Sequence, residues 1–193
     1  MAGEARRRGR SIEQVLKVIR EVLTTAHLDL VPVSPAHAQS LFQAVVDSQP
    51  ELVAWMPWAR EPDFEGTLAQ TVSSERDWDE DLDFHFSLID RRNGHVLGIA
   101  GLNRDGPGSA ELHYWIRTDH SRQGLTTEAG RELIAWAPRA LGVNRLTLWA
   151  GRGNAASRRV ATKLGFRHVG PLDWRPEGGL GTFDAESYVL DLP

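Results

Sequence analysis

One stretch of the chain, residues 109 to 166, twice repeats the order of an apolar strand, a polar loop and a helix. The first strand is predicted over Ala110–Arg117, which is rich in aromatic and branched residues. The loop after it contains Gly124 and leads into a helix predicted from Thr127 to Leu141, where apolar residues recur at helical spacing. A loop that enters a helix leaves backbone N–H groups without helical partners, so this junction predicts an anion site.

The second unit has the same order. Asn144–Ala150 alternates apolar and polar residues and is predicted to be a strand. A polar loop follows, and then a short helix that Gly165 ends. Strands connected through helices in this way predict a mixed α/β fold.

Four short motifs occur in order within these two units: Glu111 to Trp115, Gly124 to Ala129, Asn154 to Ser157, and Lys163 to Phe166. Together they resemble the Gcn5-related N-acetyltransferase (GNAT) superfamily, and its RimJ/RimL branch in particular. The resemblance covers roughly residues 26 to 192. It implies a GNAT domain over 26–193, preceded by an arm and helix over 1–25. It also implies a central, mostly antiparallel sheet of about seven strands, splayed between the strands of Glu111 and Thr147.

The resemblance implies an enzyme that transfers an acetyl group from acetyl-CoA to a primary amine, by direct attack in a ternary complex. The RimJ/RimL likeness favours a protein N-terminal amine as the acceptor. Three alternatives stay open: another acyl group such as succinyl, a small-molecule amine, and a non-catalytic acyl-CoA sensor. The expected oligomeric state is a monomer or a homodimer, and neither a membrane nor a nucleic acid is the expected partner.

The resemblance also implies which residues bind coenzyme A in the splay. They lie at the end of the first strand, in the loop, and around the second helix: Trp115, Ile116, Arg117, Arg122, Gln123, Gly124, Leu125, Thr126, Thr127, Asn154, Ser157, Arg158 and Lys163. The loop departs from the superfamily pattern, because Ser121 replaces a Gln or Arg and Thr126 replaces a Gly or Ala. Since such a cradle is mostly backbone N–H, we still expect it to bind phosphate.

Glu111 is the expected general base, in the position where the superfamily often carries a glutamate; the alternative is a structural glutamate. Glu177 and Glu186 are further candidate bases. Ser157 is expected to give a proton to the leaving thiolate, with Tyr188 as the alternative acid. The residues expected to line the acceptor site together with Glu111 are Trp55, Met56 and Trp58, although aromatic residues in that pattern are as often core.

The amino-acid composition excludes several kinds of site and reaction. The 193 residues include no cysteine, which excludes disulfides, thiolate metal sites and a covalent acyl-cysteine route. No metal-ligand spacing, secretory signal or membrane-length apolar run is visible, so a cytoplasmic protein is expected.

Nine acids lie between Glu61 and Asp83, whereas ten basic residues lie between Arg117 and Arg167. The basic half suits a polyphosphate, and the acidic half suits a cationic acceptor.

The remaining elements are predicted from periodicity and turn residues. A basic arm, residues 1 to 10, precedes an amphipathic helix over Ser11–Leu23, which must dock on its own domain or on a partner subunit. The other predicted elements are a strand over His27–Val33, a helix from Ser34 or Pro35 to Ser48, a helical piece near Pro50, a helix over Phe64–Asp79, a hairpin of Asp83–Arg91 and His95–Asn103, and strands over Arg167–Trp174 and Ala185–Leu192.

Overall fold

The computed structural model describes residues 18–174 and 183–193. Within these ranges the chain forms strands β1 (Leu23–Thr24), β2 (Leu28–Pro32), β3 (Asp83–Asp90), β4 (Val96–Gly106), β5 (Ser109–Ile116), β6 (Arg145–Gly151), β7 (Arg167–Trp174) and β8 (Phe183–Asp191). It also forms helices α1 (Ala38–Leu52), α2 (Phe64–Asp79), α3 (Leu125–Leu141) and α4 (Ala155–Lys163). Short 3-10 turns cover Pro35–His37, Pro57–Arg60 and Thr118–His120.

The strands form one sheet in the order β1-β2-β3-β4-β5-β6-β8-β7. All neighbours are antiparallel except β5 and β6, which are parallel and pair only from Ser109↔Arg145 to Glu111↔Thr147. The mixed α/β fold with a mostly antiparallel sheet is therefore confirmed. The sheet has eight strands among the described residues where about seven were predicted, because the two-residue β1 pairs with β2.

The two faces of the sheet carry different helices, and strand alternation sets which side chains meet them. On one face, Phe84 and Phe86 of β3 and Leu112 of β5 pack with Leu133 and Trp136 of α3. On the other face, Ile99 and Trp115 pack with Leu41 and Val45 of α1. Residues of β5 with odd numbers thus face α1 and α2, and its even-numbered residues face α3 and α4.

The predicted helix over Ser11–Leu23 is wrong at its end. Residues 18 to 22 are non-helical and Leu23 begins β1, while residues 11 to 17 lie outside the described ranges. The apolar spacing suits a helix, but Val18 is buried while Ile19 is 77% and Val22 is 53% exposed. The segment instead crosses the aromatic core and supplies acceptors to two buried indoles. Trp78 Nε1 donates to the Val18 carbonyl at 3.1 Å, and Trp136 Nε1 donates to Glu21 at 2.7 Å.

Helix α1 extends four residues beyond the predicted end at Ser48 and contains Pro50. A proline inside a helix removes one N–H donor, and here the carbonyl that loses its partner belongs to Val46. The Val46 side chain is 40% exposed, so this side of the helix is open to water. The helix predicted over Phe64–Asp79 has those bounds in the structure. None of the helices in the described ranges is long and apolar enough to cross a membrane.

The hydrogen bond from Trp136 to Glu21 leads to a prediction about stability. Trp136 is fully buried, so Glu21→Ala leaves its N–H without this acceptor and should lower the free energy of unfolding by about 1–3 kcal/mol. Glu21→Gln keeps an acceptor oxygen and loses only the exposed ion pair with Arg139, which should cost less than about 1 kcal/mol. Urea unfolding measures both. Equal losses in the two variants would assign the effect to the charge rather than to the indole.

Candidate active site

The cleft begins where β5 and β6 stop pairing. Glu111 forms the last parallel pair, and beyond it β5 is bonded only to β4. The Arg117 N–H donates to the Leu97 carbonyl of β4 at 2.7 Å. Backbone groups alternate in direction along an antiparallel pair, so the N–H and C=O of Tyr114 and Ile116 point away from β4 and into the opening. One wall of the cleft is therefore a row of backbone hydrogen-bonding groups.

Glu111 lies half-buried at the mouth of this opening. Burial, together with the negative charges of Asp105 and Asp83, raises the pKa of its carboxyl group to about 7. A hydrogen bond from the Trp149 side chain acts in the opposite direction and favours the carboxylate. A carboxyl group that titrates near neutral pH can take a proton from an amine and release it again.

Two histidines lie on the face of the sheet that carries Glu111: His113 on β5 and His85 on β3. His113 is packed edge-on against His85, with ring centroids 4.8 Å apart. His85 is bonded to Ser74 of α2 at 2.9 Å and to Asn103 of β4 at 3.1 Å. Burial lowers the pKa of both imidazoles, His113 the more strongly, so both are neutral. These rings add no positive charge beside Glu111; His113 packs against His85, and its buried Nε2 has no hydrogen-bond partner among the described residues.

His113 fits only because Gly101 faces it. A Cβ atom at Gly101 would lie 2.7 Å from His113 Nε2 and 2.5 Å from the Phe84 carbonyl. Both distances are too short for real contacts, and the second neighbour is backbone. The glycine therefore sets how closely β4 and the ring of His113 approach.

A pair of hydroxyl groups lies on the opposite face of β5. Tyr114 Oη and Ser157 Oγ of α4 are 2.9 Å apart. Burial raises the pKa of Tyr114 to about 12, which keeps this phenol protonated. Asn154 caps α4, because its Oδ1 accepts from the Ser157 N–H at 3.0 Å. The Tyr114 side chain is not among the residues predicted for the site; the signal that could have found it is its position three residues after Glu111, on the other face of the same strand.

Tyr188, the alternative acid, is buried on β8. Its hydroxyl accepts from Arg158 Nε at 3.2 Å, and its ring packs against that of His168 with centroids 5.2 Å apart and the planes tilted by 52°. Its charge also contributes to the raised pKa of Tyr114, so the two phenols are close enough to interact. The structure therefore brings Ser157, Tyr114 and Tyr188 into one cluster, in which Arg158 is directed at a phenol.

The loop before α3 has the geometry of an anion cradle. Gly124 has φ +85° and Arg122 has φ +61°, both in the left-handed region. The first helical bond of α3 runs from the Glu128 N–H to the Gly124 carbonyl, and no side chain among the described residues caps this end. The N–H groups of Leu125, Thr126 and Thr127 therefore have no partner within the helix. A Cβ atom at Gly124 would meet nothing within 4 Å, so the backbone is open to a ligand there.

Four other residues that were expected to bind coenzyme A contact protein groups or are exposed to solvent. Arg117 pairs with Asp119 at 2.8 Å and with Asp47 at 3.0 Å. The Gln123 side chain donates to the Asp119 carbonyl at 3.3 Å. The Trp115 side chain packs on the α1 and α2 face. Lys163, at the end of α4, is exposed.

The residues expected at the acceptor site separate in the structure. A cavity of about 530 Å³ lies between α1, the Pro57–Arg60 turn, α2 and the sheet, and Trp58 lines it. Met56 packs into the adjoining core instead. Trp55 reaches the loop before α4, where a Cβ atom at Gly153 would lie 3.2 Å from its ring. Trp55 therefore spans the two sides of the cleft.

The further candidate bases are not equivalent to Glu111. Glu186 accepts from His168 Nε2 at 2.6 Å and from Arg152 Nε at 3.0 Å. The hydrogen bond from His168, followed by the charge of Arg152, lowers the pKa of Glu186, which makes it a poor proton acceptor near neutral pH. Glu177 lies outside the described residues. No group of acids and histidines in the described part of the chain could hold a metal ion.

The chain is similar in sequence to known acetyltransferases. Residues 27–167 match a family model described as an acetyltransferase (GNAT) domain. YdaF of Bacillus subtilis, provisionally named a ribosomal N-acetyltransferase, is 28% identical over 148 residues, which span 75% of this chain and 80% of YdaF. The ribosomal-protein-serine acetyltransferase of Escherichia coli K12 is 24% identical over 150 residues, which span 72% of this chain and 78% of that protein.

Solved structures share the fold. RimL, a ribosomal L7/L12 alpha-N-protein acetyltransferase in complex with coenzyme A, is similar with a TM-score of 0.80 at 18% identity, over 89% of this chain and 98% of RimL. MccE, a microcin C7 self-immunity acetyltransferase in complex with acetyl-CoA and AMP, is similar with a TM-score of 0.79 at 16% identity, over 86% of this chain and 93% of MccE.

The raised pKa of Glu111 generates a prediction about stability. The folded state holds this proton up to a pKa of about 7, whereas the unfolded chain releases it near pH 4.5. The group therefore lowers stability as pH rises through that window, by on the order of 2–3 kcal/mol between pH 5 and pH 8. Gln at this position does not titrate, so Glu111→Gln should gain that amount relative to wild type over the same interval.

Urea unfolding of both proteins at the two pH values measures this difference. Glu80→Gln, at an exposed position just after α2, is the matched control and should follow the wild type at both pH values. A Glu111→Gln variant whose stability ran parallel to the wild type would mean that the carboxyl group is not held neutral by burial.

Proposed function

The chain belongs to the GNAT acetyltransferase family, and on that premise we propose that it transfers an acetyl group from acetyl-CoA to the α-amine of a protein N-terminus. The observation that carries the proposal is the position of Glu111. It lies at the last paired residue before the strands diverge, with its pKa raised to about 7 by burial. That is where a base is required if an amine and an acyl donor meet in the cleft.

The chemistry of the acceptor supports an α-amine. An amine must be neutral when it attacks, and a terminal α-amino group has an ordinary pKa of about 7.7–8.0, against about 10.4 for lysine. Deprotonation at pH 7 therefore costs about 1 kcal/mol for an α-amine and about 4.6 kcal/mol for a lysine. A carboxylate with a pKa near 7 is closely matched to the first of these. The names of YdaF and of the E. coli relative, which refer to ribosomal proteins, favour a protein acceptor as well.

Acetyl-CoA as the donor is supported by the loop and by the structural neighbours. The uncapped start of α3 and the two left-handed residues before it offer backbone N–H groups to a pyrophosphate. RimL and MccE were solved with coenzyme A and acetyl-CoA respectively. Acetyl-CoA supplies an acyl group activated as a thioester. The residues proposed to hold it are Arg122 to Thr127 of the loop, the backbone of Tyr114 and Ile116, and Asn154 and Ser157 of α4.

The residues of the chain divide the proton transfers between the two faces of β5. Glu111 accepts the proton of the amine, directly or through a water molecule. Backbone N–H groups of Tyr114 or Ile116 stabilise negative charge on the carbonyl oxygen. The hydroxyl pair of Tyr114 and Ser157 donates the proton that the leaving thiolate takes up. The chain has no cysteine, which excludes an acyl-cysteine intermediate, and in the proposed mechanism the amine attacks the thioester directly with both substrates bound.

The pH dependence of turnover tests the role of Glu111. For peptide acetylation, kcat/KM of the wild type should rise with pH through about 7, because the carboxylate is the active form. Glu111→Gln should lose about 10²–10⁴-fold of this rate and also the inflection near pH 7, keeping only that of the amine. Tyr114→Phe and Ser157→Ala should lower the rate without moving that inflection. An inflection near pH 7 that survived in Glu111→Gln would assign the base elsewhere.

Binding of the donor is tested separately by titration calorimetry with acetyl-CoA and coenzyme A. Gly124→Trp should abolish binding, because its side chain would project into the open space beside the loop. Gly142→Trp is the matched control: Gly142 ends the same helix, also has positive φ, and also faces open space. Both variants should lose about 1–2 kcal/mol of stability from the left-handed backbone, but Gly142→Trp should still bind. A wild type that bound neither compound near millimolar concentration would contradict the proposal.

A further inference from the structure

The cavity between α1, α2 and the sheet has no part in the proton transfers described above. Its floor is apolar, and α2 contributes a polar side with Thr67, Gln70 and Ser74. Its rim carries two carboxylates, Glu61 and Asp63, and the residues that line it include no arginine, lysine or histidine. The fixed charge of the cavity is therefore negative.

The two carboxylates are not equivalent. Asp63 is the N-cap of α2, and its oxygens accept from the N–H groups of Gly66 at 2.7 Å and Glu65 at 3.3 Å. Its charge is partly offset by those donors and by the helix dipole. Glu61 is exposed and, within the described ranges, forms no ion pair. Glu61 is thus the carboxylate best able to meet a cation at this rim.

An aromatic pair forms another wall. Trp58 is 49% exposed and stands edge-on to Trp115, with ring centroids 6.0 Å apart. An exposed indole face attracts a guanidinium or an ammonium group, and the arginine side chain also stacks on it. The exposed tryptophan and the glutamate both line this cavity, which makes it complementary to a side chain that is long, apolar along its stem and positive at its end.

The distance to the candidate base sets where such a side chain would belong. Trp115 and Glu111 share one face of β5 and are four residues apart, which corresponds to about 13 Å along a strand. A basic side chain spans about half of that distance, and an extended peptide advances about 3.3 Å per residue. A terminal amine at Glu111 therefore puts the side chain of the second or third residue in reach of the cavity.

We propose that this cavity binds the cationic side chain of the second or third residue of the acceptor peptide, and that Glu61 and Trp58 select it. The inference rests on the proposed function and adds the preference of the enzyme for the sequence of the acceptor peptide. Proteins whose second or third residue is arginine or lysine are the preferred substrates. Peptides with an acidic residue there are disfavoured by Glu61 and Asp63.

The test compares peptides that differ in one charge. Hexapeptides with a free N-terminal serine carry either arginine or citrulline at position 3, and a control pair carries the same exchange at position 6. Citrulline matches the shape of arginine without its charge, and neither side chain accepts an acetyl group. Free thiol released from acetyl-CoA is measured with a thiol reagent, to which this cysteine-free protein adds no background.

We expect kcat/KM to favour arginine over citrulline by about fivefold to tenfold at position 3 and to be equal at position 6. The preference should shrink as salt is raised, since the rim is exposed. Glu61→Gln and Trp58→Leu should each reduce the preference for arginine over citrulline. Glu65→Gln, two residues after Asp63 and outside the cavity lining, should keep the full preference.

The outcomes distinguish a failure of the cavity assignment from a failure of the proposed function. Equal rates on the arginine and citrulline peptides, both in the pair that differs at position 3 and in a further pair with the exchange at position 2, would overturn the cavity assignment and leave the acetyltransferase proposal standing. A preference that persisted in both Glu61→Gln and Trp58→Leu would also overturn it. Absence of acetylation of every peptide, with acetyl-CoA bound, would instead be a failure of the proposed protein N-terminal acceptor.

Discussion

The short parallel pairing of β5 and β6 is the constraint on which the rest of the molecule depends. Three residue pairs hold the two halves of the sheet together, and then the strands separate. Backbone groups that face the opening have no strand partner, and a buried unpaired group costs about 1–3 kcal/mol. Such a wall is stable only if water or a ligand meets it. The loop before α3 and the hydroxyl of Ser157 adjoin the same opening, so donors converge where the sheet is incomplete.

The balance between burial and charge pairing decides what each carboxylate can do. Asp90 and Glu186 have a guanidinium or an imidazole as neighbour, and their pKa values are lowered. Glu111 has burial, two other carboxylates and one indole N–H, and its pKa is raised to about 7. The neutral His113 and His85 beside it preserve that balance, because a charged imidazole would stabilise the carboxylate and return its pKa toward the ordinary range.

Local signals made much of this fold predictable, and distant contacts made the rest unpredictable. The bounds of β7 and α2 follow from strand alternation and from helix-start residues, and the structure has them as predicted. The segment from Val18 to Val22 was predicted as helix because its apolar spacing is helical. Only the distant indoles of Trp78 and Trp136, which need acceptors, explain why it is not helical.

The sequence motifs named part of the candidate site, and the roles of those residues stay predictions. The likeness of the motifs pointed to Glu111, Ser157 and the loop around Gly124. The neighbours that set the pKa of Glu111 come from other strands, and no local pattern indicates that Trp149 and Asp105 approach it.

The two departures of the loop before α3 from the superfamily pattern, Ser121 and Thr126, have a physical explanation. The Ser121 N–H is used within the 3-10 turn, where it donates to the Thr118 carbonyl, so it is not one of the donors left free at the start of α3. Thr126 is in the first turn of α3, where its N–H has no helical partner whichever side chain it carries, so the number of donors at this helix start is unchanged.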